Sequence, residues 1–130
     1  MTKREVLSST VPGTGLPYAQ AIRVGDLVFV AGQVALDPAT GQAMAGDITA
    51  QTERVIGNIK EILESAGTSL ANAIENLCFL ADARRDFAAF NAVYGKYWDM
   101  NGPTRTTVQA VLPREGLLVE IRCLAVMPDR

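Results

Sequence analysis

Pro103-Thr104-Arg105-Thr106-Thr107-Val108-Gln109-Ala110-Val111-Leu112 is followed by Pro113-Arg114-Glu115-Gly116 and then by Leu117-Leu118-Val119-Glu120-Ile121-Arg122-Cys123-Leu124-Ala125. Two alternating, β-branched runs divided by a segment holding Pro and Gly predict two antiparallel strands and their turn. With Leu112 facing Leu117, Thr106, Val108 and Ala110 oppose Cys123, Ile121 and Val119 on one apolar side. Arg105, Thr107, Gln109 and Val111 then share the other side with Leu118, Glu120, Arg122 and Leu124. The hairpin therefore predicts that Arg105 and Glu120 project from the same face.

Along such a ribbon the levels of Arg105 and Glu120 stand about 13 Å apart, and the arginine arm spans about half of that. The remainder is the size of a small molecule lying beside Thr107. An arginine fork binds a carboxylate through two parallel hydrogen bonds, and a glutamate can hold or deprotonate a water. The same pair on a mixed strand face also reads as solvated charges or ordinary cross-strand partners. The hairpin alone leaves both readings open.

The 130-residue length fits one domain, residues 1–130, with a core that needs neither disulfides nor metals. A net charge of −2 and the lack of a basic run argue against a nucleic-acid footprint. The chain has no histidine, which excludes histidine triads and histidine acid–base pairs and leaves no metal site to expect. Cys78 and Cys123 lie in apolar runs and read as small hydrophobes, with neither a disulfide framework nor a metal spacing. No apolar segment approaches membrane-spanning length and the N-terminus lacks a secretory core, so the expected location is the reducing cytoplasm.

Upstream, Glu5 to Ser9 reads as an edge strand and Thr10 to Pro17 as a loop rich in Pro and Gly, with Tyr18 at its end. Ala19 to Val24 and Leu27 to Ala31 flank Gly25-Asp26, a two-residue hairpin signal. Gly32 within the strand pattern indicates a bulge, a close backbone approach, or simple relief of crowding. Asp37 to Gln42 is a surface turn.

From Asp47 the period changes. Ile48, Val55, Ile56, Ile59, Ile62, Leu63 and Ala66 recur at helical spacing, with Asp47 as N-cap and Gly67 as the stop. A strand follows at Leu77 to Ala81. A second helix is expected over about Arg85 to Asp99, with Phe87, Phe90, Val93, Tyr94, Tyr97 and Trp98 near one stripe. Asn91 sits within that stripe, so its amide either holds a neighbouring backbone or points into a site.

The order β-β-β-α-β-α-β-β describes a sheet whose two helices cover one face. The other face is expected to combine Val111, Leu118, Leu124 and Val126 with Arg105, Gln109 and Glu120. That mixture is too apolar for free exposure and too polar for a dry core, which predicts burial against further copies of the chain.

Several spaced blocks now agree in order: Leu16-Pro17-Tyr18-Ala19-Gln20-Ala21, Val30-Ala31-Gly32-Gln33, Asp86-Phe87 with Asn91 and Tyr94, Pro103-Thr104-Arg105-Thr106-Thr107, Leu112-Pro113, and Val119-Glu120-Ile121 with Ala125-Val126. Together they resemble the RidA/YjgF family of reactive-intermediate (enamine/imine) deaminases over nearly the whole chain. The resemblance implies an α+β, chorismate-mutase-like (bacillus-type) fold, a mixed β-sheet with two helices on one face, and a homotrimer with ligand clefts between subunits. It implies hydrolysis of 2-aminoacrylate and related 2-imino acids to 2-oxo acids and ammonia, with no metal or organic cofactor.

By the same resemblance, Arg105 matches a carboxylate-binding arginine and Glu120 a glutamate that positions the hydrolytic water. Tyr18, Gly32, Phe87 and Asn91 match positions lining the cleft, partly from the neighbouring subunit. Leu16, Ala31 and Thr107 depart from the common glycine, serine and cysteine; a backbone contact at Thr107 survives the exchange. The alternatives are a non-catalytic trimer that binds small carboxylates or acts as a chaperone or regulator and, against the acidic composition, a ribonuclease or translation inhibitor.

Overall fold

In the computed structural model, which describes residues 3–129, the strands are β1 (Arg4–Leu7), β2 (Ala21–Val24), β3 (Leu27–Val34), β4 (Ala73–Leu80), β5 (Thr104–Gln109) and β6 (Val119–Val126). The helices are α1 (Ile48–Ser65) and α2 (Ala83–Tyr94). The strands form one sheet in the order β1-β2-β3-β6-β4-β5, and both helices lie against the same side of it. The fold is α+β.

Gly25 takes φ 60° and lets β2 turn directly onto β3, with Val24 opposite Leu27. Asp47 caps α1 by accepting a hydrogen bond from the Ala50 amide at 3.0 Å, and Gly67, at φ 93°, follows its last turn. Between these ends Val55, Ile56, Ile59, Ile62 and Leu63 are buried on the sheet beside Val28, Val30, Ile121 and Cys123. Each buried branched aliphatic side chain contributes about 1.5–3 kcal/mol relative to exposure.

The second helix is shorter than its aromatic stripe suggests. It ends at Tyr94 and Gly95, after which Lys96 and Tyr97 donate to Val93 and Tyr94 in tighter, i to i−3 bonds. Trp98 is nevertheless buried, with Nε1 donating to Leu70 O at 2.9 Å.

The expected hairpin between residues 103–112 and 117–125 does not form. β4 lies between its two strands: β5 pairs with β4 in parallel, Arg105 opposite Asn76, and β6 pairs with β4 antiparallel, Glu120 opposite Phe79. Even the ends of the connecting segment bond to this strand's end rather than to each other, since the Ala110 amide donates to Leu80 O and the Ala81 amide to Leu118 O. The cause is α2, a crossover that returns the chain beside β4 in the same direction. Leu77 and Phe79 on one side and Cys78 and Leu80 on the other make β4 apolar on both faces, suited to an interior strand.

This pairing assigns the faces. Asn76, Cys78 and Leu80 are buried under the helices, so Arg105, Thr107 and Gln109 point to the helix side. Gln109 accepts from the Ala83 amide at 2.9 Å, at the start of α2. Val119, Ile121 and Cys123 are buried on that side too, which turns Glu120, Arg122 and Leu124 to the uncovered face. Arg105 and Gln109 therefore leave the second face, Val111 stands fully exposed in the connection, and Leu118 packs against the core. Leu124 and Val126 stay on that face, joined by Phe29 and Val108, both over two-fifths exposed.

Candidate active site

Arg105 and Glu120 do not share a face, contrary to the reading of the ribbon. Two inter-strand steps and three residues of strand separate them, on the order of 14 Å between backbones, with the sheet itself between the side chains. Each is instead the centre of its own cluster.

The first cluster is built by β5 against α2. Arg105 Nη1 donates to Asn91 Oδ1 at 2.8 Å. Its guanidinium carbon lies 4.8 Å from the ring centre of Tyr94, 5.3 Å from that of Phe90 and 5.7 Å from that of Phe87. Ring faces and one amide thus hold the cation without an opposing carboxylate, leaving its charge for an incoming anion. Asn91 holds no backbone; it orients this side chain.

Tyr94 is fixed in turn by Asn76, a fully buried residue whose Nδ2 donates to the phenol oxygen at 2.9 Å. Thr107 is the next helix-side residue of β5, and its Oγ1 is buried with no hydrogen-bond partner. Cys78 lies opposite Thr107, and burial pushes its thiol up to about 12 although the Arg105 charge acts the other way. A thiol so rarely ionised is packing, not a nucleophile. Asn76 and Tyr94 escaped the reading of the sequence as site residues; the available signal was an amide immediately before the apolar Leu77-Cys78-Phe79-Leu80 run.

The second cluster is on the other face. Pairing between β3 and β6 shifts register between Val30 and Gln33, and Gly32 lies in that bulge. A Cβ on Gly32 would collide with Glu120 Oε2 and stand 3.0 Å from its Cδ. The glycine therefore serves both as part of a bulge and as the seat of a carboxylate. Burial raises the Glu120 carboxyl above its ordinary value of 4.5.

Beyond Gly32 opens a cleft of about 560 Å³ between the loop before β2, the turn after β3 and the outer side of α1. Leu16 and Tyr18 line it, both more than half exposed, and the Tyr18 hydroxyl accepts from Thr14 Oγ1 at 3.2 Å. The predicted residues thus fall into separate groups: Arg105, Asn91, Phe87 and Thr107 on the helix side, Glu120 on the uncovered face against Gly32, and Tyr18 with Gly32 in the cleft wall. Among the described residues no group of acidic and cysteine side chains could hold a metal, and no helix is long and apolar enough to cross a membrane.

A family model described as Endoribonuclease L-PSP matches residues 9–127. A RutC family protein of Pyrococcus abyssi is 42% identical over 96% of this chain and 98% of its own length. The 2-iminobutanoate/2-iminopropanoate deaminase of Homo sapiens is 30% identical over 97% of this chain and 91% of its own. Among solved structures, Escherichia coli TdcF with bound serine superposes with a TM-score of 0.85 at 33% identity, covering 95% of this chain and 99% of that one.

Proposed function

Because the chain belongs to the Endoribonuclease L-PSP family, the family of the RidA and YjgF proteins, we propose that it hydrolyses 2-aminoacrylate-type enamines and imines to 2-oxo acids and ammonia. The observation that carries this reading is the placement of an uncompensated arginine and a desolvated glutamate on opposite faces of one sheet. Neither alone binds a 2-imino acid and delivers water to it. A second copy, laid with its helix-side sheet edge against the uncovered face of the first, brings one of each together.

Apolar side chains on that face favour such burial: Val6, Phe29 and Val108 are each more than 40% exposed. We assign the assembly as the homotrimer the family resemblance implies, with sites between neighbouring copies and small 2-imino or 2-oxo acids as ligands. The bound serine of TdcF is a small amino acid of the same size class.

The chemistry follows from the imine. Arg105 binds the carboxylate through its free guanidinium edge, with the backbone at Thr107 as a further contact beside it. This fixes the C=N carbon against the water held by Glu120. Glu120 accepts a proton as the water oxygen bonds to carbon, and the nitrogen takes up a proton. Glu120, once its first proton has gone to the nitrogen, takes the carbinolamine hydroxyl proton and passes it to the same nitrogen as C=O forms and C–N breaks. Ammonia leaves behind a 2-oxo acid. An enamine enters this sequence after tautomerising to its imine. Orientation supplies much of the gain because the imine is already electrophilic.

The test is ammonia release from an imine generated by an amino-acid oxidase, with and without the protein. Acceleration abolished in Arg105→Ala, with the oligomer intact, supports the assignment. Saturable binding of 2-oxo acids without any acceleration would replace it with a carboxylate-binding protein. The family's ribonuclease description finds less support in a chain with no histidine and a net charge of −2.

A further inference from the structure

The cleft beside Gly32 contains more than the hydrolysis of 2-aminoacrylate calls for. At about 560 Å³ it is several times larger than a three-carbon acid, and two arginines border it: Arg54 from α1 and Arg114 from the segment between β5 and β6. The ion pairs among the described residues involve Arg23, Lys60, Arg85, Lys96 and Arg122. Arg54 and Arg114 take part in none of them.

Of the acids close to Arg54 and the cleft, one is paired with another cation and two bond neutral groups. Glu53 pairs with Lys96 at 2.8 Å, Glu61 accepts from Thr10, and Asp37, itself in the cleft wall, accepts from the Ala39 amide at 2.9 Å. Hydrogen bonds from neutral groups leave Asp37 charged, so the lining sets two arginines, Arg54 and Arg114, against one acid. Its remaining wall is largely apolar, with Leu16, Val34 and Leu36 among the lining side chains.

We infer that this cleft receives the substrate's side chain and that the preferred substrates bear a second carboxylate, as 2-imino dicarboxylates do. The inference rests on the proposed deaminase reading and concerns its substrate class. Arg105 takes the carboxylate next to the imine, the apolar wall takes the methylenes, and Arg54 with Arg114 takes the distal carboxylate. Gly32 joins the two regions, since its backbone borders the cleft and also underlies the Glu120 carboxylate. Two cations facing a carboxylate discriminate strongly against a neutral chain, because hydrogen bonds to charged groups exceed neutral ones and are lost with either partner.

Three imines distinguish the possibilities: 2-iminoglutarate from glutamate, 2-iminopropanoate from alanine and the imine of norleucine, each made in situ by an oxidase. The expected result is a kcat/KM at least about tenfold higher for 2-iminoglutarate than for either neutral imine. Arg54→Ala and Arg114→Ala each lower the ratio of dicarboxylic to neutral kcat/KM about fivefold or more, and Arg54→Lys restores most of it. Equal rates for 2-iminoglutarate and norleucine imine, or an unchanged ratio in both alanine variants, overturn the inference while leaving the deaminase reading intact. Failure to accelerate any of the three overturns both.

Discussion

Gly32 and Glu120 occupy adjoining strands so closely that the carboxylate fills the space a glycine side chain would need. The relationship ties a backbone irregularity to a chemical group: the bulge in β3 makes room, and β6 delivers the acid into it. Gly32→Ala should therefore displace the carboxylate rather than merely crowd it. A stability loss of about 1–3 kcal/mol in denaturant unfolding is expected, together with a fall in kcat much larger than any change in KM. Wild-type kcat in this variant would show that the Glu120 carboxylate need not rest there.

The raised proton affinity of Glu120 has two consequences. Water attack requires the carboxylate, so kcat should climb with pH through a midpoint above 4.5, the ordinary glutamate value. Stability runs the opposite way. The native state binds more protons than the unfolded chain between 4.5 and the raised value, so this residue's contribution diminishes as pH rises through that window. Glu120→Gln should abolish catalysis and, with it, this part of the stability slope; an unaltered stability profile would place the buried proton on another group.

Asn91 directs Arg105 from the helix above it through a 2.8 Å hydrogen bond. Removing that bond leaves the guanidinium stacked on rings that hold it in place without fixing its rotation. Asn91→Ala should raise KM for a 2-imino acid by about five- to thirtyfold with a smaller effect on kcat. Asn91→Asp should be worse, because an added carboxylate would compete with the substrate for the cation. Equal KM values for wild type and Asn91→Ala would show that the aromatic rings suffice.

Much of the fold was legible in residue periodicity. The Gly25-Asp26 turn, the Asp47 cap and the α1 stripe are local features, set by backbone geometry and by neighbours a few residues away. The partner of β5 is not local. Alternation in Thr104–Gln109 and Val119–Val126 tells which residues share a face of their own strand, but not that β4 comes between them. The strand-helix-strand order from Leu77 to Gln109 contained the missing signal, since strands joined through a helix run parallel.

The site was legible in its residue types more than in its arrangement. Gly32 announced a bulge or a close approach, and both occur. Asn91 left two uses open, a hold on a neighbouring backbone or a place in a site, and its bond to Arg105 fits the second. The separation of Arg105 from Glu120 could not be read without knowing the sheet order. With the two residues on opposite faces, the proposed site takes one of them from each of two chains.

Mixing two inactive variants tests that most directly. Arg105→Ala and Glu120→Gln each remove one half of every site and leave the other half whole. Unfolded together and refolded as mixed oligomers, equal amounts should regain about a quarter of the wild-type activity, the fraction of two-chain sites that receive both intact halves. Mixed oligomers that form but stay as inactive as either parent would show that Arg105 and Glu120 do not meet across an interface.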